Sequence, residues 1–265
     1  MPNKRTRERQ LAKLAARRKA VRRRHARQRS AAIVVSVILV LFAGYFVWSA
    51  FLSNGKKATA AGGGTKTSAC SKTVPAAAGQ KKKTYSKPPK NVLQKGKTYT
   101  ATVETSCGTF VFQLDPKSAP QTVNSMVFLT RQKFYDGLTF HRTVKNFVIQ
   151  GGDPKGNGSG GPGYTTVDKP AKNATYPVGT VAMAKGGSDP AGTAGSQFFV
   201  VTSSTANAAL APSGQGPQYA IVGHVTSGMD VVQKIEAQPQ APGAQSGDGS
   251  PAQKIYIIKM TISES

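Results

Sequence analysis

From Ala31 to Leu52 the chain runs through twenty-two residues without a charge, AAIVVSVILVLFAGYFVWSAFL. As a helix this stretch is about 33 Å long, enough for a hydrocarbon core of about 30 Å. Tyr45 and Trp48 lie towards its far end, where amphipathic rings favour the headgroup zone. Residues 1–30 hold thirteen Lys or Arg and a single acid, Glu8. Alone, such a head reads either as a nucleic-acid arm or as the cytoplasmic flank of a membrane anchor. The apolar run favours the flank. Residues 1–30 are then a basic cytoplasmic tail and residues 31–52 a single transmembrane helix in the cell membrane. Everything after Leu52 lies outside, because positive charge is retained in the cytoplasm. The arginines can hold anionic lipid, so no nucleic-acid partner is needed to account for them. The alternative is a cleavable signal peptide with a small-x-small site at Ala58-Thr59-Ala60. Against it, the apolar run exceeds the roughly 7–15 residues of a signal core.

Residues 53–91 change to Gly, Ala, Ser, Thr, Pro and Lys. Between Ser53 and Thr100 there are eleven lysines and no acid. Such a segment buries too little apolar surface to offset its ordering entropy, and it reads as a flexible, solvated linker. Residues 101–265 hold twelve Lys or Arg and ten acids, only +2 of the chain's +25. The high charge therefore says nothing of what the folded domain, residues 92–265, binds. The two cysteines, Cys70 in the linker and Cys107 beyond it, would both lie where disulfides persist. If they pair, the bridge closes a loop that is mostly linker and is expected to stabilise the fold little.

Within the domain, Tyr99–Thr105 and Thr109–Leu114 alternate as strands around a Ser106-Cys107-Gly108 hairpin signal. Ser118–Lys133 reads as a helix, with Pro120 near its start and Val123, Met126, Val127 and Leu129 on one side. Further strands are expected at Gly137–Arg142, Phe147–Gln150, Thr180–Ala184, Gln197–Val201, Gln218–Val225 and Lys254–Ile262. A second helix is expected at Met229–Ala237. Gly151–Gly163, Gly186–Gly195 and the Gly-, Pro- and Gln-rich stretch Gln238–Pro251 read as surface loops.

Two blocks carry the chemistry. FHRTVKNFVIQGGD, Phe140–Asp153, sets one cation, Arg142, five residues before Phe147 and eight before Gln150. GTVAMAKGGSDPAGTAGSQFFV, Gly179–Val200, puts two strand-like ends around a Gly-rich loop. A guanidinium beside an aromatic ring and an amide makes a binding face without a nucleophile. With VGHV at Val222–Val225, these blocks resemble the cyclophilin-type peptidyl-prolyl cis-trans isomerases, over roughly Val92–Glu264. The resemblance implies a mostly β fold, a closed eight-stranded antiparallel barrel with two helices. It also implies a rotamase that assists protein folding without cofactor or metal. The domain, outside the membrane and expected to be monomeric, would act on Pro-containing segments of unfolded or extended secreted proteins.

An X–Pro bond rotates over a barrier of about 18–20 kcal/mol, and no bond is broken. The catalyst must weaken amide resonance and hold the twisted state better than either planar one. By resemblance, Arg142 is the catalytic arginine, donating to the prolyl nitrogen as its lone pair localises, and Gln150 holds the neighbouring backbone. Phe147, Val148, Phe199 and Leu210 would line the proline pocket, and Ala184, Lys185 and Gln197 the groove for preceding residues. Tyr219 stands where the family carries a pocket His, Val148 for a usual Met, Lys185 for an Asn and Val222 for a Phe. The shortened wall at Val148 leaves open a second reading, a non-catalytic module that binds Pro-containing segments as a holdase. Hydrolase and phosphate-loop patterns are missing: the sequence contains no G-x-S-x-G and no H-E-x-x-H, and the Gly-rich stretch Gly151–Gly163 lacks the G-K-[ST] end of a phosphate loop.

The anchor reading predicts that full-length protein stays with membranes through carbonate extraction and that protease added to intact cells frees the domain. A fragment beginning near Ala61, released without protease, would indicate signal cleavage instead.

Overall fold

YTATVET buries every second side chain, Tyr99, Ala101, Val103 and Thr105, as a half-buried strand requires. This is β1 (Tyr99–Thr105), which folds back through Ser106-Cys107 onto β2 (Gly108–Leu114). The computed structural model describes residues 69–245 and 247–265. After β2 come α1 (Pro120–Arg131), β3 (Phe140–Val144), β4 (Val148–Gly151), β5 (Thr166–Val167) and β6 (Thr180–Met183). β7 (Thr193–Ala194), β8 (Phe198–Val201), α2 (Ala206–Leu210), β9 (Ile221–Ser227), α3 (Met229–Glu236), β10 (Asp248–Gly249) and β11 (Ile257–Glu264) complete the described chain. Pro120 opens α1, where its missing N–H costs nothing. Ala119 offers no side-chain cap there; the carboxylate of Asp168, distant in sequence, accepts from the Thr122 N–H at 2.7 Å instead.

The expectation of a closed eight-stranded barrel with two helices needs correcting. Nine strands form one antiparallel sheet in the open order β10-β3-β4-β8-β6-β9-β2-β1-β11, and β5 pairs with β7 apart from it. The sheet curls until residues 137–140 meet residues 255–257, through bonds such as Phe140 N–H to Ile255 O at 2.9 Å. Beyond the single bridge Thr139–Tyr256 no ladder forms there, because the far half of β3 is occupied by β10 instead. A third helix, α2, lies in the variable stretch before β9; at five residues it is too short to show a periodic pattern.

Strand alternation sorts the side chains into two apolar clusters. The larger holds Phe110, Phe112, Phe140, Ile149, Phe198 and Val200 with the inward residues of α1 and α3. α1 packs on β11 and on the small β5 pair, and α3 on β2, β3 and β4. The second cluster holds Val148, Tyr176, Ala182, Phe199, Val201, Ala206 and Leu210, on the other face of the same strands.

The linker also ends earlier than its composition implies. Residues 69–91, expected as part of a flexible linker, lie on the domain as a strap without helix or strand. Cys70 is disulfide-bonded to Cys107 in the β1–β2 turn, with Cα atoms 4.3 Å apart, and both are buried. Gly137 admits the strap because it has no side chain: a Cβ there would sit 2.3 Å from the Ala77 carbonyl. Tyr85 donates its N–H to Pro162 O at 2.8 Å and sets its ring edge-on to Phe128, centroids 5.1 Å apart. Asn124, buried on α1, accepts from Val92 N–H at 2.7 Å and donates to Lys90 O at 3.1 Å. Backbone partners such as these, not a run of apolar residues, fix the strap. The apolar run 31–52 and the basic residues before it lie outside the described residues. Among the described residues no helix is long and apolar enough to cross a membrane.

A docked strap changes what the disulfide is worth. The bridge spans a sequence separation of 37 residues that are ordered when folded. Constraining a loop of that length in the unfolded chain contributes about 3–4 kcal/mol. Replacing Cys70 and Cys107 by Ser should therefore lower unfolding stability by up to that amount and expose the Lys81–Lys90 region to trypsin. Unchanged stability and an uncut strap would refute this.

Candidate functional site

The site is built by register. β3 and β4 pair so that Arg142 stands opposite Gln150, and β4 and β8 so that Gln150 stands opposite Phe199. Ala182 of β6 continues the row opposite Phe199. Residues directly opposite share a face, so Arg142, Gln150, Phe199 and Ala182 lie side by side across four strands. Between Phe140 and Arg142 the β3–β4 register shifts by one, a bulge at His141. It keeps Phe140 in the main core, 6.0 Å from Phe198 between ring centroids, while Arg142 turns to the opposite face.

The polar groups on this face form a directed chain of hydrogen bonds. Arg142 Nε and Nη2 donate to Asp248 Oδ1 and Oδ2, each at 2.7 Å. Arg142 Nη1 donates to Gln150 Oε1 at 3.1 Å, and Gln150 Nε2 to Gln197 Oε1 at 3.1 Å. Gln197 Nε2 ends the chain on Gly158 O and Gly160 O, at 3.0 and 2.8 Å. Both glutamines thus use both ends of their amides. The guanidinium has five N–H donors, and one on each terminal nitrogen has no partner among the described residues. The Arg142 side chain keeps 38 % of its surface exposed.

Beside this chain lies the second apolar cluster. Val148, Phe199 and Leu210 are nearly covered, while Phe147, Ala184 and Tyr219 are partly open. Phe199 and Tyr219 meet edge-on with centroids 5.2 Å apart. Tyr219 is fixed by Tyr176, whose hydroxyl accepts from its N–H and donates to its carbonyl, both at 2.9 Å. Lys185 places its ammonium 5.8 Å from the Tyr219 ring centroid. Gln150, Ala184, Lys185 and Gln197, with Lys155 and the strap's Thr84, line a cavity of about 790 Å³. A smaller one of about 230 Å³ lies between Arg142, Gln150, the loop at Gly156–Gly158 and Asp248–Ser250.

The wall of the larger cavity hangs on Asp153. Burial alone would push its carboxyl up, but backbone N–H groups of Lys155, Gly158, Asn157 and Gly160 outweigh burial and hold it below the ordinary carboxylate range. The Lys155 and Gly158 amides lie at 2.8 and 2.6 Å from it. Gly160 has to be Gly, since a Cβ there would fall 1.9 Å from Asp153 Oδ1. His141 is buried, and burial lowers its pKa, so it stays neutral at pH 7 and serves packing, not proton transfer.

All ten sequence-identified binding residues come together on this face: Arg142 and Gln150 at its polar edge, the apolar five beside them, and Ala184, Lys185 and Gln197 along the groove. Cys70 and Cys107 lie elsewhere, at the strap. Sequence reasoning missed Asp248, Tyr176, Asp153 and Thr84. Asp248 had a signal, as the only charged residue between Gln238 and Pro251. Tyr176 and Thr84 had none. Among the described residues no group of three or more His, Cys, Asp or Glu could hold a metal ion.

Comparison with known proteins agrees with the geometry. The family model for cyclophilin type peptidyl-prolyl cis-trans isomerase/CLD matches residues 100–262. Peptidyl-prolyl cis-trans isomerase B of Bacillus subtilis is 50 % identical over 91 residues, 34 % of this chain and 62 % of that protein. The peptidyl-prolyl cis-trans isomerase of Helicobacter pylori is 44 % identical over 105 residues, 39 % of this chain and 63 % of that one. The chain thus spans somewhat less than two thirds of these two relatives. Peptidyl-prolyl cis-trans isomerase cypE of Dictyostelium discoideum is 36 % identical over 166 residues, 61 % of this chain and 96 % of its own length. Among solved structures, the cyclophilin type peptidyl-prolyl cis-trans isomerase of Cryptosporidium parvum superposes with a TM-score of 0.53 at 26 % identity, covering 63 % of this chain and 98 % of its own. That protein has also been solved in the presence of the dipeptide Ala-Pro.

The Asp153 turn gives a pH prediction. A carboxylate whose folded pKa is depressed contributes stability above its unfolded pKa of about 3.9, lost as pH falls through the folded value. Protection of the Lys155, Asn157 and Gly158 amides, measured against their intrinsic exchange rates, should therefore be high at pH 7 and fall selectively below about pH 4. Asp153→Ala should show the low protection already at pH 7; protection independent of pH in both proteins would contradict it.

Proposed function

Because the chain belongs to the cyclophilin-type peptidyl-prolyl cis-trans isomerases, we propose that the face carrying Arg142, Gln150 and Phe199 accelerates rotation about X–Pro bonds in extended polypeptides. The observation that carries this reading is the row of three adjacent strands, which sets an oriented guanidinium and an amide beside an apolar cluster. The proline ring rests on the partly open Phe147 and Tyr219, backed by Val148, Phe199 and Leu210. Residues before the proline run along Ala184, Lys185 and Gln197. The unpartnered N–H groups of Arg142 donate to the prolyl nitrogen as its lone pair localises in the twisted state, and Gln150 holds the neighbouring carbonyl. Since the donors are already aimed, little reorganisation accompanies the reaction. The groove residues favour no covalent step.

Clients are Pro-containing segments of unfolded or extended proteins outside the membrane. Residues 31–52 anchor the enzyme, with the basic tail against anionic lipid in the cytoplasm. Three features support that placement: the uncharged run, the thirteen cations before it, and a Cys70–Cys107 disulfide of the kind that persists in oxidising compartments.

Arg142→Ala in the full-length protein should lower kcat/KM for a Pro-containing peptide by about 10²–10³, as when one electrostatic donor leaves a preorganised site. Arg142→Lys should recover little, since an ammonium lacks the planar fork. NMR exchange spectroscopy checks both. A folded Arg142→Ala protein at the parent rate would rule out this mechanism, and a parent that binds such peptides without isomerising them would establish the holdase reading.

A further inference from the structure

We propose that Asp248 is a positioning residue for the isomerisation, orienting Arg142 through its side edge so that its end edge meets the substrate; this rests on the role assigned to Arg142 above. Asp248 comes from the stretch Gln238–Pro251, which carries no other charge. It reaches the site because β10 pairs with β3: Asp248 stands opposite Val144 and Gly249 opposite Thr143. The surrounding loop is braced on the same strand. Gln240 Nε2 donates to Thr143 O and to Gly247 O, each at 2.8 Å, and Ala241 N–H to Ser250 O at 2.8 Å. The carboxylate is therefore held by backbone pairing and is not a chance neighbour on a loose loop.

The edge it takes decides its role. Both carboxylate oxygens engage Nε and Nη2, the side of the fork, at 2.7 Å each. A carboxylate that masked the arginine would occupy the end edge between Nη1 and Nη2. Here Nη1 points to Gln150, and one N–H on each terminal nitrogen is left over. Bidentate pairing fixes the plane of a guanidinium, and the Gln150 bond fixes its third nitrogen. A long, flexible side chain thus presents its remaining donors in one direction, without losing rotamer freedom when substrate arrives. Asp248 also offsets the formal charge of Arg142, so the site acts through aimed N–H dipoles more than through net charge. Arg142, Gln150, Asp248 and Ser250 also share the wall of the smaller cavity.

The test is a double-mutant cycle on the full-length protein, with kcat and KM measured for parent, Asp248→Ala, Arg142→Ala and the double variant. Asp248→Ala should lower kcat/KM about 10-fold, the order seen when a supporting partner of a functional group is lost, and the loss should lie in kcat. In the Arg142→Ala background the same change should matter by less than about two-fold, because the two residues act as one unit. Asp248→Asn, which keeps one acceptor oxygen, should fall between, and it carries the comparison if Asp248→Ala fails to fold. The Arg142 Nε–H resonance should be distinct and slowly exchanging in the parent and lose that protection in Asp248→Ala. Activity at or above the parent in Asp248→Ala would overturn the proposal, and so would an equal loss in both backgrounds. If Arg142→Ala itself keeps the parent rate, the arginine mechanism falls with it. A slow Arg142→Ala beside an unaffected Asp248→Ala overturns this proposal alone.

Discussion

A strand alternates its side chains, so residues 140 and 142 would share one face of an ideal β3. One extra residue at His141 breaks that parity. Phe140 stays in the main core with Phe110 and Phe198, and Arg142 joins Gln150 and Phe199 on the other side. Most of the site depends on this shift. Without it either an aromatic ring would leave the core or the guanidinium would enter it, and an unpaired charge there is costly. His141, the inserted residue, is buried and neutral, which suits a residue whose work is to take up space in the bulge.

The same parity makes one sheet serve two purposes. Ile149 and Val200 face the main core, while Val148, Phe199 and Val201 face the second cluster. β4 and β8 therefore carry apolar side chains on both faces, and their sequences, VIQG and FFVV, lack the apolar-polar alternation of a half-buried strand. The apolar part of the site is thus a second, smaller core left partly uncovered at Phe147 and Tyr219. Its rigidity comes from packing, and Tyr176 extends that packing by gripping both backbone groups of Tyr219.

What could be read from the sequence follows from how local each signal is. β1, α1 and α3 were legible within a few residues, because alternation or helical spacing runs over seven or more positions. The grouping of the candidate site residues was legible through ordered motifs, since Arg142, Gln150 and Phe199 sit at fixed places in strands that pair. The strap was not legible. Its residues 69–91 have the composition of a linker, and they are ordered by partners elsewhere: Cys107, Gly137, Pro162 and Asn124. β10 was hidden for the same reason, since two residues, Asp248 and Gly249, carry no period at all. The closed barrel failed for a related reason, because whether the last strand completes a ladder with β3 depends on which segment occupies that edge.

The two illegible segments both bear on the site. The strap brings Thr84 to the wall of the larger cavity, and the loop before β11 brings Asp248 to the guanidinium. The relay from Asp248 to Gly160 has a direction that is set at its two ends. Asp248 can only accept, so Arg142 must donate to it. Arg142 can only donate, so Gln150 must turn its oxygen towards it, and its amide nitrogen then faces Gln197. The carbonyls of Gly158 and Gly160 fix the other end by accepting from Gln197. Reversing either glutamine amide would set donor against donor or acceptor against acceptor at both of its ends. A reaction that breaks no covalent bond needs little from a protein beyond dipoles held in place, and a chain anchored at both ends by groups of fixed polarity holds them so before substrate binds.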